Sequence, residues 1–166
     1  MYRIRDFYLV KVSNIKGKHL GTAKDIYIDL ENNKLIGIKV DRYTFKNKKT
    51  YVAVSDIKQM GKQITTEKLS VGSFLSFTDI KDLEVIDSNG KIRGNVTDIL
   101  VEESTFEIKG IIISPGFIDK IFTGKQILLI NDLRYKQEYF LYLGDLGISF
   151  RNIVNKEIKL WIHLKK

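Results

Sequence analysis

The 166-residue chain contains no cysteine and a single proline, Pro115. The first absence excludes disulfides, thiolate metal sites and cysteine nucleophiles, and it fits a reducing compartment. The second excludes proline-rich linkers. Long apolar runs are missing as well. Runs such as Gly110–Ile113 and Ile127–Ile130 are the length of a strand, and no uncharged stretch approaches the ~20 residues that cross a bilayer. Met1–Asp6 carries charges, and no apolar stretch of signal-peptide length follows. These features lead to the expectation of a cytoplasmic protein without a membrane span. Its richness in Lys, Ile and Asn points to a bacterial genome poor in G and C. Only two histidines occur, His19 in a turn and His163 in the alternating tail. A general base needs a positioned partner within reach, and the sequence offers neither histidine one.

What is present suits a β-rich core. Apolar residues make up 43% of the chain, near the globular norm, and the plentiful Ile, Val, Tyr and Phe fit a pleated, half-buried surface. The net charge of +8 is unevenly spread. Residues 1–80 hold 15 Lys and Arg against 8 Asp and Glu, whereas residues 81–166 hold 13 against 12. Such a surplus bears on partners rather than on fold.

The chain repeats itself. Val12, Gly17, Gly21, Asp25, Ile26, Ile28, Leu35, Gly37, Ile38 and Val40 recur as Val85, Gly90, Gly94, Asp98, Ile99, Val101, Ile108, Gly110, Ile111 and Ile113. Every pair lies 73 positions apart, with no gap. Further on, Val54–Ile57 aligns with Ile130–Leu133 at a spacing of 76, so the second copy has gained three residues. Two copies are too few for a solenoid. The boundaries read as 1–72 for the first repeat, 73–143 for the second and 144–166 for a C-terminal extension.

Within each copy, Lys16–Gly21 and Asn89–Gly94 read as hairpin turns, because glycine accepts positive φ. Asp25–Leu30 alternates acidic and apolar residues as a half-buried strand does. Glu31–Lys34 is a turn, and Leu35–Val40, Thr50–Val54 and Gln63–Thr66 are further strands. No window shows convincing helical periodicity. Short strands at close spacing predict an all-β fold, with each copy a small barrel or a sandwich. In the extension, Ile158, Leu160, Ile162 and Leu164 alternate with Lys159, Trp161, His163 and Lys165. Such a one-sided strand needs a sheet edge, in this chain or in a second copy, so a homo-oligomer through it is one expectation.

The order G-x-x-x-G-x-x-x-D-[IL]-x-[IV], then a turn, then [LI]-x-G-[IV]-x-[VI], resembles the PRC-barrel family. Gly17, Gly21, Asp25 and Gly37 carry it in the first copy, and Gly90, Gly94, Asp98 and Gly110 in the second. The resemblance implies two compact β-barrels of the type found in the reaction-centre H subunit and in the ribosome-maturation factor RimM, to which the alternating tail adds an expected C-terminal β extension. The run Ser114–Phe117 followed by Ile127–Leu133 resembles the YlmC/YmxH group. The resemblance implies a docking module without catalysis or cofactor. No membrane helix like that of the first protein and no N-terminal partner domain like that of the second is recognisable in this sequence, which argues against the expectation that either function transfers directly.

Three features are candidates for function. Asp25 and Asp98 are recurring carboxylates, with Asp29 and Glu102 four positions on. Four strand residues span about 13 Å, too far to grip one metal ion at ~2.3–2.6 Å per ligand. Capping a turn, or accepting backbone N–H groups, is the expected role. Arg42, Lys46, Lys48 and Lys49, interleaved with Tyr43, Phe45 and Tyr51, suit either nucleic acid or an ordinary solvated loop beside core aromatics. Phe117, Ile118, Ile121 and Phe122 lie between Gly116 and Gly124 in an expected loop. They form either an exposed partner site or a short helical turn packed against the neighbouring copy. The first expectation is therefore a non-catalytic adaptor for a protein partner; the second is a ribosome- or RNA-associated factor using the basic first repeat.

Overall fold

The fold is taken from a computed structural model, which describes residues 1–42, 49–114, 125–144 and 148–150. It divides into two compact units, Tyr2–Asp79 and Met1 with Ile80–Lys166. The first unit contains β1 (Lys11–Asn14), β2 (His19–Asp29), β3 (Lys34–Asp41), β4 (Thr50–Ala53), β5 (Ile57–Gln59), β6 (Gln63–Thr66) and β7 (Ser70–Val71). The second contains β8 (Glu84–Asp87), β9 (Ile92–Val101), β10 (Ile108–Ser114), β11 (Lys125–Leu129), β12 (Leu133–Tyr135), β13 (Tyr139–Tyr142) and β14 (Ile148–Phe150). The sheet orders, β5-β6-β1-β2-β3-β4-β7 and β12-β13-β8-β9-β10-β11-β14, are the same order in the two copies. Pairing is antiparallel except at β1–β6 and β8–β13. The expected all-β tandem architecture is the one observed.

Both cores are filled from equivalent positions. Val12, Ala23, Ile26, Ile28, Ile38, Val52 and Ile64 are buried in the first unit; Val85, Val96, Ile99, Val101, Ile111, Leu128 and Phe140 take their places in the second. Burial of this apolar surface drives the fold. The repeat therefore encodes two cores, not merely two sets of turns.

The structure departs from the sequence expectations at three places. The hairpin turns are shorter than expected, since β2 begins at His19 and β9 at Ile92. Gly17 and Gly90 do sit in the turns, at φ +79° and +77°. Asn14 and Asp87 close these turns alike, each side-chain oxygen accepting two backbone N–H groups. Gly21 and Gly94 instead lie within strands, at φ +151° and +148°, beside shifts in the register of β1 on β2 and of β8 on β9. Two four-residue helices, α1 (Ile4–Phe7) and α2 (Phe77–Ile80), were not anticipated. They stand 73 apart, and each carries an Asp, Asp6 or Asp79, whose carboxylate accepts the N–H of the residue three before it. Finally, β14 lies in the segment placed beyond the second repeat. It pairs with the edge of β11 just as β7 pairs with that of β4.

Leu9 follows α1 in the left-handed region, at φ +60°, held there by Leu9 N–H donating to Ala23 O and Ala23 N–H to Val10 O. The second repeat has Asp82 at the matching position, at φ +67°. Asp tolerates this conformation and Leu does not, and the Leu9 side chain is exposed. Leu9→Asp, the second repeat's own solution, is expected to raise stability by about 0.5–1 kcal/mol. A urea titration checks it through a higher midpoint at unchanged slope.

Candidate docking surface

The two recurrent carboxylates sit where β2 and β9 bulge. The pairing of β2 with β3 slips between Ala23 and Asp25, and that of β10 with β9 slips between Ile112 and Ile113. Asp25 and Asp98 are both buried. Their Oδ1 atoms accept the N–H of Ile26 at 2.8 Å and of Ile99 at 2.9 Å, and Asp25 Oδ2 also accepts the Thr78 N–H at 3.4 Å. Among the described residues, no three His, Cys, Asp or Glu side chains are arranged to hold a metal ion.

Gly37 and Gly110 mark a close approach of neighbouring strands. A Cβ on either would lie 2.4 Å from a carbonyl oxygen of the next strand, that of Val52 or Leu128. At Gly37 the missing side chain also makes room for a ring: Tyr51 Cδ2 would stand 2.7 Å from that Cβ.

Each Asp begins a row of residues across its sheet. In the first unit, Asp25 faces Lys39, Lys39 faces Tyr51, and Tyr51 faces Ser70. The matching row in the second runs Asp98, Ile112, Ile127 and Ile148. The acid is kept and its neighbours change. In the second unit Ile112 and Ile127 are buried in one cluster with Leu100 and Met1. The matching cluster in the first is aromatic. Tyr27, Tyr51 and Phe74 meet edge to face in all three pairings, with ring centroids 5.5–5.7 Å apart. Each such pair contributes about 0.5–1.5 kcal/mol beyond its buried area. Tyr27 corresponds to Leu100 and Phe74 to Met1, both at the spacing of 73.

This aromatic cluster is only partly covered and is edged with cations. Phe74 is 41% exposed, and Tyr51 is half-buried. The Lys39 ammonium stands 5.8 Å from the centre of the Tyr27 ring, within cation–π range, and forms no ion pair among the described residues. Lys49 donates to Ser73 Oγ at 3.0 Å. The Tyr27 hydroxyl is buried without a hydrogen-bond partner among the described residues. Burial pushes its pKa up; Ser73 pulls the other way, more weakly, without a hydrogen bond of normal geometry.

Asp79, at the rim, accepts from both the N–H and the hydroxyl of Ser76, each at 2.8 Å. The Ser76 N–H, then its hydroxyl, holds the Asp79 carboxyl below the ordinary 3.8. In the β2–β3 turn, the Asn32 side-chain amide does the same to Asp29. Because these folded-state values are depressed, both carboxylates stabilise the fold fully above their ordinary range. That contribution is lost as pH falls through the folded values. Carboxyl carbon NMR titration is expected to show both midpoints below 3.8, and in Asp79→Ala the loss of stability below pH ~4 is expected to be shallower.

The remaining sequence candidates divide by position. Arg42 and Lys49 are exposed; Lys46 and Lys48 lie outside the described residues, as do Phe117, Ile118, Ile121 and Phe122, His163 and the alternating strand of the extension. Tyr51, grouped with the basic run in the sequence, has its ring in the aromatic cluster.

The PRC-barrel domain model matches residues 1–70 and again 73–138, the two segments whose strand order is the same. The chain belongs to the PRC-barrel family. Domains of this family are generally protein-interaction modules. A search of the curated proteins finds no match to this chain. Residues 73–79 open the second matched segment, yet they pack with the first barrel. Phe74 joins its aromatic cluster, Leu75 O accepts the Ile28 N–H, and Ser76 bridges to Tyr27. No helix among the described residues is long and apolar enough to cross a membrane.

Proposed function

We propose that this tandem PRC-barrel protein is a non-catalytic adaptor of the bacterial cytoplasm that holds a protein partner. One observation carries the reading. At one position in the duplicated fold, the second barrel closes its surface with Leu100, Ile112, Ile127 and Met1, whereas the first has an incompletely covered aromatic cluster edged by Lys39 and Lys49. A fold needs only the aliphatic solution, as the second barrel demonstrates. Exposed aromatics beside cations are the composition of interface anchors. The family's general role as an interaction module points the same way.

The test uses the full chain with Phe74→p-benzoylphenylalanine, irradiated in native lysate, and the same photoreactive residue at Ile92 as a control. The expected result is one protein adduct from position 74, resistant to nuclease and absent from position 92. That protein, made separately, is then expected to bind the unmodified chain in a calorimetric titration. No adduct, or an adduct destroyed by ribonuclease, overturns the reading. The apolar segment of the second repeat is a further proposed contact. Phe117→Asp with Phe122→Asp is expected to weaken the same calorimetric binding, and unchanged affinity removes that segment from the interface.

A further inference from the structure

We infer that the first barrel's cluster receives an acidic peptide segment of its partner, a carboxylate settling between Lys39 and Lys49 while a neighbouring apolar side chain packs on Phe74. This rests on the adaptor reading and specifies the chemistry of what docks.

The argument is one of charge and unmet donors. The carboxylates nearest the cluster already accept hydrogen bonds from the protein. Asp25 takes the N–H groups of Ile26 and Thr78, and Asp79 takes both donors of Ser76. The cations are held less closely: among the described residues neither makes a direct ion pair, Lys39 lying on the Tyr27 ring face and Lys49 donating to the neutral Ser73 hydroxyl, while the Asp79 carboxylate acts on both only at longer range. Two ammonium groups without a direct ion pair bind an oxyanion. The ring edges of Tyr51 and Phe74 beside them accept apolar surface. A peptide carrying Asp or Glu next to an aromatic or leucine supplies both. The surplus of positive charge in residues 1–80 steers such a segment toward this barrel.

The second barrel supplies substitutions already compatible with the fold. Its Ile112 and Ile127 occupy the register positions of Lys39 and Tyr51. Lys39→Ile with Tyr51→Ile therefore removes the receptor while placing at both positions the residue type the second barrel already has there. The experiment selects a random-peptide phage library on the immobilised full chain, then measures the selected synthetic peptides by fluorescence polarisation. Enrichment of Asp or Glu beside Phe, Tyr, Trp or Leu is expected. Affinity is expected to fall about tenfold or more in Lys39→Ile/Tyr51→Ile and in the charge reversal Lys49→Glu, and to weaken as salt rises. Urea unfolding of each variant confirms that it is folded.

Three results overturn the inference: enrichment without acidic residues, acidic peptides that bind the variants as tightly as the parent, or no enrichment at all. Any of these accompanied by a nuclease-resistant protein adduct at position 74 leaves the adaptor reading standing and removes only the acidic-segment chemistry.

Discussion

Gly37→Ala and Gly110→Ala are each expected to destabilise their barrel by about 3 kcal/mol, at the upper end of what overpacking costs. At both positions a Cβ would stand 2.4 Å from a backbone carbonyl of the adjacent strand, Val52 O or Leu128 O. A flexible side chain could turn aside, but a carbonyl in a ladder cannot move without disturbing its strand. These two are held by the pairings of β3 with β4 and of β10 with β11. At Gly37 the collision also involves the Tyr51 ring, so that variant is expected to loosen the aromatic cluster too. The informative controls are Gly17→Ala and Gly90→Ala. A Cβ there meets nothing within 4 Å, and only the left-handed backbone is penalised, at about 1 kcal/mol. Gly21→Ala combines both costs, with φ +151° and a Cβ 2.3 Å from Asp41 O. Urea midpoints for the set are expected to separate the turn glycines from the strand glycines. Equal losses throughout would mean that strand approach does not explain the recurring glycine.

Asp25→Ala and Asp98→Ala are expected to cost about 2 kcal/mol each, because a buried N–H loses its acceptor. The groups concerned are the amides of Ile26 and Ile99, bonded to Oδ1 at 2.8 and 2.9 Å. They lie beside the bulges, where the ladder is interrupted and a side chain completes it. Asn keeps an acceptor oxygen in the same place, so Asp25→Asn and Asp98→Asn are expected to retain most of the stability. The comparison separates two roles for a repeated acid. If the backbone bond is the reason for the carboxylate, Asn rescues; if charge is the reason, Asn fails as Ala does. Chemical denaturation of the four variants distinguishes the cases.

The repeat register by itself carries most of the architecture. Val12 and Val85, Ile26 and Ile99, and Ile38 and Ile111 had to fall in equivalent cores once the glycines between them matched. Other regularities were equally present in the spacing of 73 but lack a striking residue type. Asp6 and Asp79 are unremarkable acids until each is seen to hold the residue before a four-residue helix. Leu9 and Asp82 share no chemistry, only a backbone angle. The strand positions of Gly21 and Gly94 were hidden for a related reason. Glycine's tolerance of positive φ signals a turn and a bulged strand equally well, and only the register of β1 on β2 distinguishes them.

The local order of residues determined that this chain forms two like barrels, because strand period, turn chemistry and core burial act over a few positions and each was written twice. The meeting of Tyr27, Lys39, Tyr51 and Phe74 was decided by tertiary structure alone. Twelve or more positions separate each from the next; strand pairing brings the first three together, and the segment after β7, bridged to Tyr27 at Ser76, carries Phe74 to them. The same pairing gives the second barrel an aliphatic patch from Leu100, Ile112, Ile127 and Met1, since backbone hydrogen bonds set the positions in both copies and are indifferent to the side chains placed there.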